Sequence, residues 1–408
     1  MRLQLIQERL LEAVSIKLPA SKSISNRLLI IHKIAQSDGS LENLADADDT
    51  QILKQLLDSD AKEMNCGLGG TSIRFFLAYC YLINREVVLF GGEDLNRRPI
   101  GPLVDALRQL GASIDYLGSE GFPPIHLKQS EKKSNEVKFD SNISSQFVSA
   151  LLMIAPELPN GLAIHLPPNQ VSYSYINMTI ALMRSNGVEV KLENNVISVL
   201  PQKYIPIPYR VPVDWSAVIF WIGFLAIAGK GQIVLTELKV ESLQGDEAIL
   251  SWINDLGITA RISEDAIAFE KNNKHIKNEL YLNLINNPDL AQPLAVIGAA
   301  LGIKTTLSGL STLKHKEADR INAIANELRK CNVDCLINND TLEIIGKINI
   351  ANLSNIGFDT YNDHRMAMSL AMLSATGISI NLNNPEVVSK SYPQFFEELK
   401  KFCIVTEK

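Results

Sequence analysis

Residues 103–116, 180–192, 249–262 and 324–337 repeat one arrangement, and the repeat limits what the chain can fold into. Each combines apolar positions at helical spacing, a glycine or asparagine, and an alternating apolar–polar run. The spacing predicts an amphipathic helix, a left-handed cap at Gly111, Gly187, Gly257 or Asn332, and then a strand. In three copies a polar turn follows (Glu193-Asn194-Asn195, Ser263-Glu264-Asp265, Asn338-Asn339-Asp340), and a second short strand after it reads as a hairpin. The caps recur roughly every 70 to 76 residues, too long for a solenoid repeat and suited to a βαβαββ unit.

Two partial copies extend the series. Residues 52–57 begin such a helix, but only residues 58–66 separate it from the next glycine-rich stretch. That is too short for a strand, a turn and a strand. Residues 395–402 read as a last helix with no hairpin left to follow it. Six units make an α/β protein of two domains, three units each, with one unit of the first domain truncated. The chain's 408 residues fit two domains, and the proline-rich residues 201–212 are the linker candidate.

Composition narrows the function. A net charge of -6 with no basic tail or stripe argues against nucleic acid as a partner, though local cations can still oppose the net sign. No apolar run reaches membrane-span length, and the charges within residues 3–13 exclude a signal peptide or anchor there. Cys66, Cys80, Cys331, Cys335 and Cys403 form no CxxC pair, which fits buried thiols in a reducing cytoplasm. The six histidines show no ligand spacing, so no metal site is expected.

Chemistry gathers at the predicted helix starts. In Pro19-Ala-Ser-Lys-Ser-Ile-Ser-Asn-Arg27, two cations and three hydroxyls precede an apolar run. A helix start exposes unpaired N–H groups and partial positive charge, so Lys22, Ser23 and Arg27 could together hold a phosphate or carboxylate. The plain alternative is a capped surface helix. Comparable starts recur around Gly70 to Arg74, Arg97 to Pro99, Ser144 to Gln146, Ser172, Asp289, Lys316 to Arg320 and Asp363 to Arg365. Capping explains their Ser and Asp residues, but arginine is disfavoured there by the helix dipole. A bound polyanion would account for the arginines.

Lys316 and Arg320 are spaced to share a helical face, with Glu317 one turn from Arg320. A solvated, salt-bridged helix is the plain alternative to a carboxyl group held among substrate-binding cations. In Tyr361-Asn-Asp-His-Arg-Met366, Asn362 or Asp363 caps a helix and Arg365 stands in its first turn. A lone His364 is more often structural. Residues 67–72 could be weighed as a dinucleotide fingerprint, but the polar residues 59–65 do not supply the buried strand it needs. A P-loop is absent.

Taken together, residues 18–27, Gly70 to Arg74, Arg98 to Gly101, Ser144 to Phe147, Lys316 to Arg320, Asn362 to Met366 and Ser389 to Pro393 resemble, in order, the motifs of the 5-enolpyruvylshikimate-3-phosphate synthase family. The resemblance implies transfer of the enolpyruvyl group of phosphoenolpyruvate to the 5-hydroxyl of shikimate 3-phosphate, without metal or cofactor. It also implies two domains of three βαβαββ units each, an inside-out α/β barrel, closing on the substrates. Residues 1–18 with 213–408 would form the domain holding the proton-transfer carboxylates, and 19–212 an inserted domain with most shikimate 3-phosphate ligands.

Carried across by motif, Lys22, Ser23, Arg27, Ser144, Ser145, Ser172 and Lys316 resemble shikimate 3-phosphate ligands. Gly70, Arg98, Gln146, Arg320, Arg365 and Lys390 resemble phosphoenolpyruvate ligands, and Lys22 is shared between the substrates. Asp289 resembles the carboxylate that takes the hydroxyl proton, and Glu317 the group that protonates the methylene carbon. A cytoplasmic monomer is expected. Leu68 and Thr312 depart from the usual asparagines, which leaves a weakened or silent paralogue as the alternative. The related UDP-N-acetylglucosamine enolpyruvyl transferase is set aside, because residues 93–98 lack its reactive cysteine.

Overall fold

The structure is a computed structural model that describes residues 2–7, 13–36, 39–139, 141, 143–168, 170–272 and 276–407. The chain divides into two compact units, Ala20–Val211 and the discontinuous pair Met1–Pro19 with Pro212–Lys408.

The Ala20–Val211 unit carries helices α1 (Lys22–Ile34), α2 (Asp48–Asp58), α3 (Gly70–Leu82), α4 (Glu93–Asn96), α5 (Gly101–Gln109), α6 (Ser145–Ile154) and α7 (Tyr173–Ser185). Helices α3 and α6 are apolar around nearly their whole circumference and are buried accordingly. They pack on each other, and α6 packs on α7, so the helices form the interior. Two four-stranded sheets lie outside them, each a parallel pair joined to an antiparallel hairpin. One runs 63–65, 87–90, 125–127, 114–116 and the other 136–138, 162–165, 196–199, 191–193.

The third sheet of this unit has two strands among the described residues, 41–42 parallel to 209–210. Helix α2 ends at Asp58 and the next strand opens at Glu63, already paired into the neighbouring sheet. The hairpin expected after α2 is therefore missing, as the short spacing requires. Its loss removes apolar cover from one edge. Amide hydrogen exchange is expected to be faster across residues 41–58 than across 162–165 and 196–199; equal protection would show that two strands suffice.

The other unit carries α8 (Trp215–Ala228), α9 (Ala291–Leu301), α10 (Arg320–Lys330), α11 (His364–Ala371) and α12 (Phe395–Leu399). The sequence of α8, WSAVIFWIGFLAIA, has no polar face and is buried through Ala226, packed against α9. Three four-stranded sheets surround these helices, and strands such as Gln232–Thr236 and Glu279–Asn283 bury alternate residues. One unit is contiguous: strand 279–283, α9, parallel strand 304–308, α10, and hairpin 334–338/341–345.

Four sequence expectations need correction or refinement. Residues 245–256 form 3-10 turns, because Asp246 and Glu247 bond outside the segment, to Ser216 Oγ and to the amides of Glu241 and Ser242. The last helix stops at Leu399, and strand 403–407 follows and pairs with strand 2–7, so the N-terminal residues finish that sheet. Residues 201–212 are not a free linker: Tyr204 donates to Met153 O at 2.8 Å, and strand 209–210 belongs to the two-stranded sheet. A strand does precede Gly67, but of its residues 63–65 only Met64 is buried. All four expected caps do take positive φ, Gly111 at 102°, Gly187 at 82°, Gly257 at 69° and Asn332 at 60°.

Candidate functional site

In the Ala20–Val211 unit, helix starts lie side by side because their first turns bond to one another. Ser21 caps α1, accepting from Ile24 N at 3.4 Å. Lys22 Nζ donates to Asp49 Oδ2 in the first turn of α2 at 3.1 Å. The fully buried Arg27 donates to Thr179 Oγ1 on α7 at 2.7 Å, to Ser149 Oγ on α6 at 3.1 Å, and to the carbonyls of Ser23 and Tyr175. Phe75 and Tyr175 face its guanidinium. No carboxylate among the described residues pairs with Arg27, and burial lowers its pKa to about 10. A buried cation without a counter-ion is costly, and an anion bound nearby would offset that cost.

Gly70 opens α3 against Arg98: a Cβ at Gly70 would stand 2.6 Å from the Arg98 guanidinium carbon. The cation thus lies directly over a helix start, where the dipole opposes it unless an anion intervenes. Ser144 caps α6, accepting from Gln146 N at 3.4 Å, and Ser145 is buried beside it. Gln146 Oε1 accepts from Arg74, which also donates to Pro99 O at 2.9 Å and lies over Phe147. Ser172 precedes α7 in a left-handed conformation, φ 55°, and is buried.

The discontinuous unit centres on Arg320, the first residue of α10 and 2% exposed. Its Nε donates to Asp363 Oδ2 at 2.6 Å, Nη1 to Asp289 Oδ1 at 2.8 Å, and Nη2 to Glu317 Oε2 at 2.8 Å. Burial works against this charge, but Asp363, Glu317 and Asp289 hold the Arg320 pKa above its ordinary value. Asp289, in a 3-10 turn just before α9, also accepts from Arg365 Nη2 at 2.9 Å. Asp363 caps α11, accepting from Arg365 N at 2.8 Å. Lys390 Nζ donates to Asn362 O at 2.6 Å.

Lys316 and Arg320 do not share a helical face. Lys316 is extended, and Asp319 takes the cap of α10 by accepting from Asn322 N, so the helix begins only at Arg320. Glu317 reaches Arg320 from outside the helix. Lys390 ends a 3-10 turn, Pro385–Lys390, and stands ahead of α12. Supporting residues without a sequence signal of their own are Asp49, Ser149 and Thr179, which become visible only through tertiary contacts. Arg74 and Asp363 lie inside the sequence motifs, which mark them as parts of helix starts but not their partners.

Asp246 lies beside this centre, fully buried, accepting from Ser216 Oγ. Burial, then Asp289, push its pKa up to about 6, against the pull of Arg365 and Ser216; Asp214 adds to the rise. The unfolded side chain ionises near pH 4. Native protein therefore binds the extra proton between about pH 4 and 6, and stability falls across that range to a full penalty above it. Asp246→Asn is expected to stabilise the unit by up to about 3 kcal/mol at pH 7.5. Urea melts should show that gain vanishing near pH 4; a gain independent of pH would remove ionisation as its cause.

Fold and helix starts define a class: a two-unit α/β protein whose helix starts carry arginines and lysines, with acids set among them. Among the described residues no group of acids, histidines and cysteines could hold a metal ion. Residues 52–399 match the family model described as EPSP synthase (3-phosphoshikimate 1-carboxyvinyltransferase), and the chain belongs to that family. The 3-phosphoshikimate 1-carboxyvinyltransferase of Bacteroides fragilis is 38% identical over 388 residues, spanning 95% of this chain and 94% of the relative. That of Xenorhabdus nematophila is 33% identical and spans 96% of each. EPSP synthase from Acinetobacter baumannii matches the fold with a TM-score of 0.77 at 20% identity, covering 100% of both chains.

Proposed function

We propose that the chain transfers the enolpyruvyl group of phosphoenolpyruvate to the 5-hydroxyl of shikimate 3-phosphate and releases phosphate, acting as a cytoplasmic monomer. The observation that carries this reading is the buried Arg320, which gathers Glu317 and Asp289, the two proposed proton-transfer groups, on one guanidinium.

In this reading Glu317 protonates the methylene carbon of phosphoenolpyruvate, leaving the neighbouring carbon short of electrons. The 5-hydroxyl oxygen bonds to that carbon and gives its proton to Asp289. The tetrahedral adduct then returns a methyl proton to the Glu317 carboxylate, re-forms the double bond and expels phosphate, which carries away the proton held by Asp289. Glu317 must gain a proton before it can give one.

Lys22, Ser23, Arg27, Ser144, Ser145, Ser172 and Lys316 take shikimate 3-phosphate. Gly70, Arg98, Gln146, Arg320, Arg365 and Lys390 take phosphoenolpyruvate, with Lys22 serving both. The arginine fork suits carboxylate and phosphate because it offers two parallel donors.

The test is phosphate release from the two substrates together, with the enolpyruvyl ether identified by phosphorus NMR. Release that requires both substrates supports the reading. Tight shikimate 3-phosphate binding without release would identify a silent ligand-binding relative instead.

A further inference from the structure

Glu327 sits about two helical turns beyond Arg320 on α10, 0% exposed, and belongs to none of the substrate ligands proposed above. Its Oε1 accepts from Tyr361 Oη at 2.8 Å. Its Oε2 accepts from Asp359 N at 3.1 Å and from Lys330 Nζ at 2.7 Å. Lys330 in turn donates to Asp359 Oδ2 at 2.9 Å and to Gly357 O at 3.0 Å. One buried carboxylate therefore grips the chain at residues 359 and 361.

The backbone at the end of that grip is unusual. Tyr361 and Asn362 both have φ of 54°, two successive side-chain-bearing residues in the left-handed region. Such a turn persists only where its surroundings enforce it. It leads straight into the site: Asn362 O accepts from Lys390, and Asp363 caps α11 and holds Arg320.

We propose that Glu327 is a positioning residue for the phosphoenolpyruvate side of the reaction, holding the 361–362 turn so that Lys390, Arg365 and Arg320 keep their places. The inference rests on the functional reading above. Because α10 carries both Arg320 and Glu327, the helix fixes the distance between the guanidinium and the turn that supplies its partner Asp363. A purely structural role would need only the pairing with Lys330. The bonds to Tyr361 and Asp359 are what reach the site.

The test compares Glu327→Gln, Tyr361→Phe and the double variant in steady state, with thermal melts. Glutamine keeps the shape but turns an amide N–H₂ toward donors. Tyr361 is 37% exposed, so its phenylalanine variant should fold even if Glu327→Gln does not. Expected is a rise in KM for phosphoenolpyruvate on the order of tenfold, because small misplacements of a positioned group are costly. KM for shikimate 3-phosphate should stay within about twofold, and the double variant should match Glu327→Gln alone because the two act through one contact. Melting shifts with both KM values unchanged, or both KM values rising together, would overturn the positioning role. Wild-type protein that releases no phosphate would instead overturn the functional reading on which the role depends.

Discussion

Arg320→Met is expected to abolish transfer and to lower the stability of the discontinuous unit by about 3–5 kcal/mol, the usual cost of breaking a buried ion pair from one side. Methionine fills a similar volume, so the loss reports charge more than packing. Without the guanidinium, Asp363 loses two donors and Glu317 one, and Asp289 loses one while keeping its contact with Arg365. Trp215, Trp221 and Trp252, the chain's three tryptophans, all lie in that unit, so their fluorescence in a urea melt follows it specifically. A loss under about 1 kcal/mol at neutral pH would mean that water or a rearranged cation replaces Arg320.

Glu317→Gln is expected to act on chemistry and leave the fold intact. Its side chain is partly accessible, and Arg320 would keep Asp289 and Asp363 as partners. Shikimate 3-phosphate affinity should be nearly unchanged, while turnover falls by roughly a hundredfold or more, as for loss of a positioned proton donor. Single-turnover rates with calorimetric binding separate the two effects. Turnover within about threefold of the parent would assign the proton to another group.

The helix-and-hairpin repeat is legible in the sequence because its signals are local: apolar spacing, a capping glycine and a polar turn. The truncated unit is legible for the same reason, since a chain of about nine residues has too little length for a hairpin. Local signals mislead where a neighbour outbids them. Lys316 and Arg320 have helical spacing, yet Asp319 caps the helix between them. Residues 249–256 have helical spacing too, but the bonds of Asp246 and Glu247 hold the preceding turn in a tighter winding. The motifs mark most of the cluster, but nothing in them discloses that Asp363 neutralises Arg320 or that Glu327 reaches the 361–362 turn. Those pairings join residues that meet only after the helices pack.

The interleaving of the two units has a consequence for synthesis on the ribosome. Strand 14–17 pairs with 232–236, and strand 2–7 pairs with 380–383 and 403–407. These early strands must wait for the later ones before their hydrogen bonds can form. The described strands of the unit Ala20–Val211 pair with one another, so its sheets can form as soon as it clears the exit tunnel. Nascent chains would therefore pass through a stage with one finished unit and an unpaired leading ribbon. During that stage the ribbon's open strand edges are a template for pairing between chains. Translation speed past Val211, rather than the final stability of either unit, would then govern how much of the protein reaches its native state.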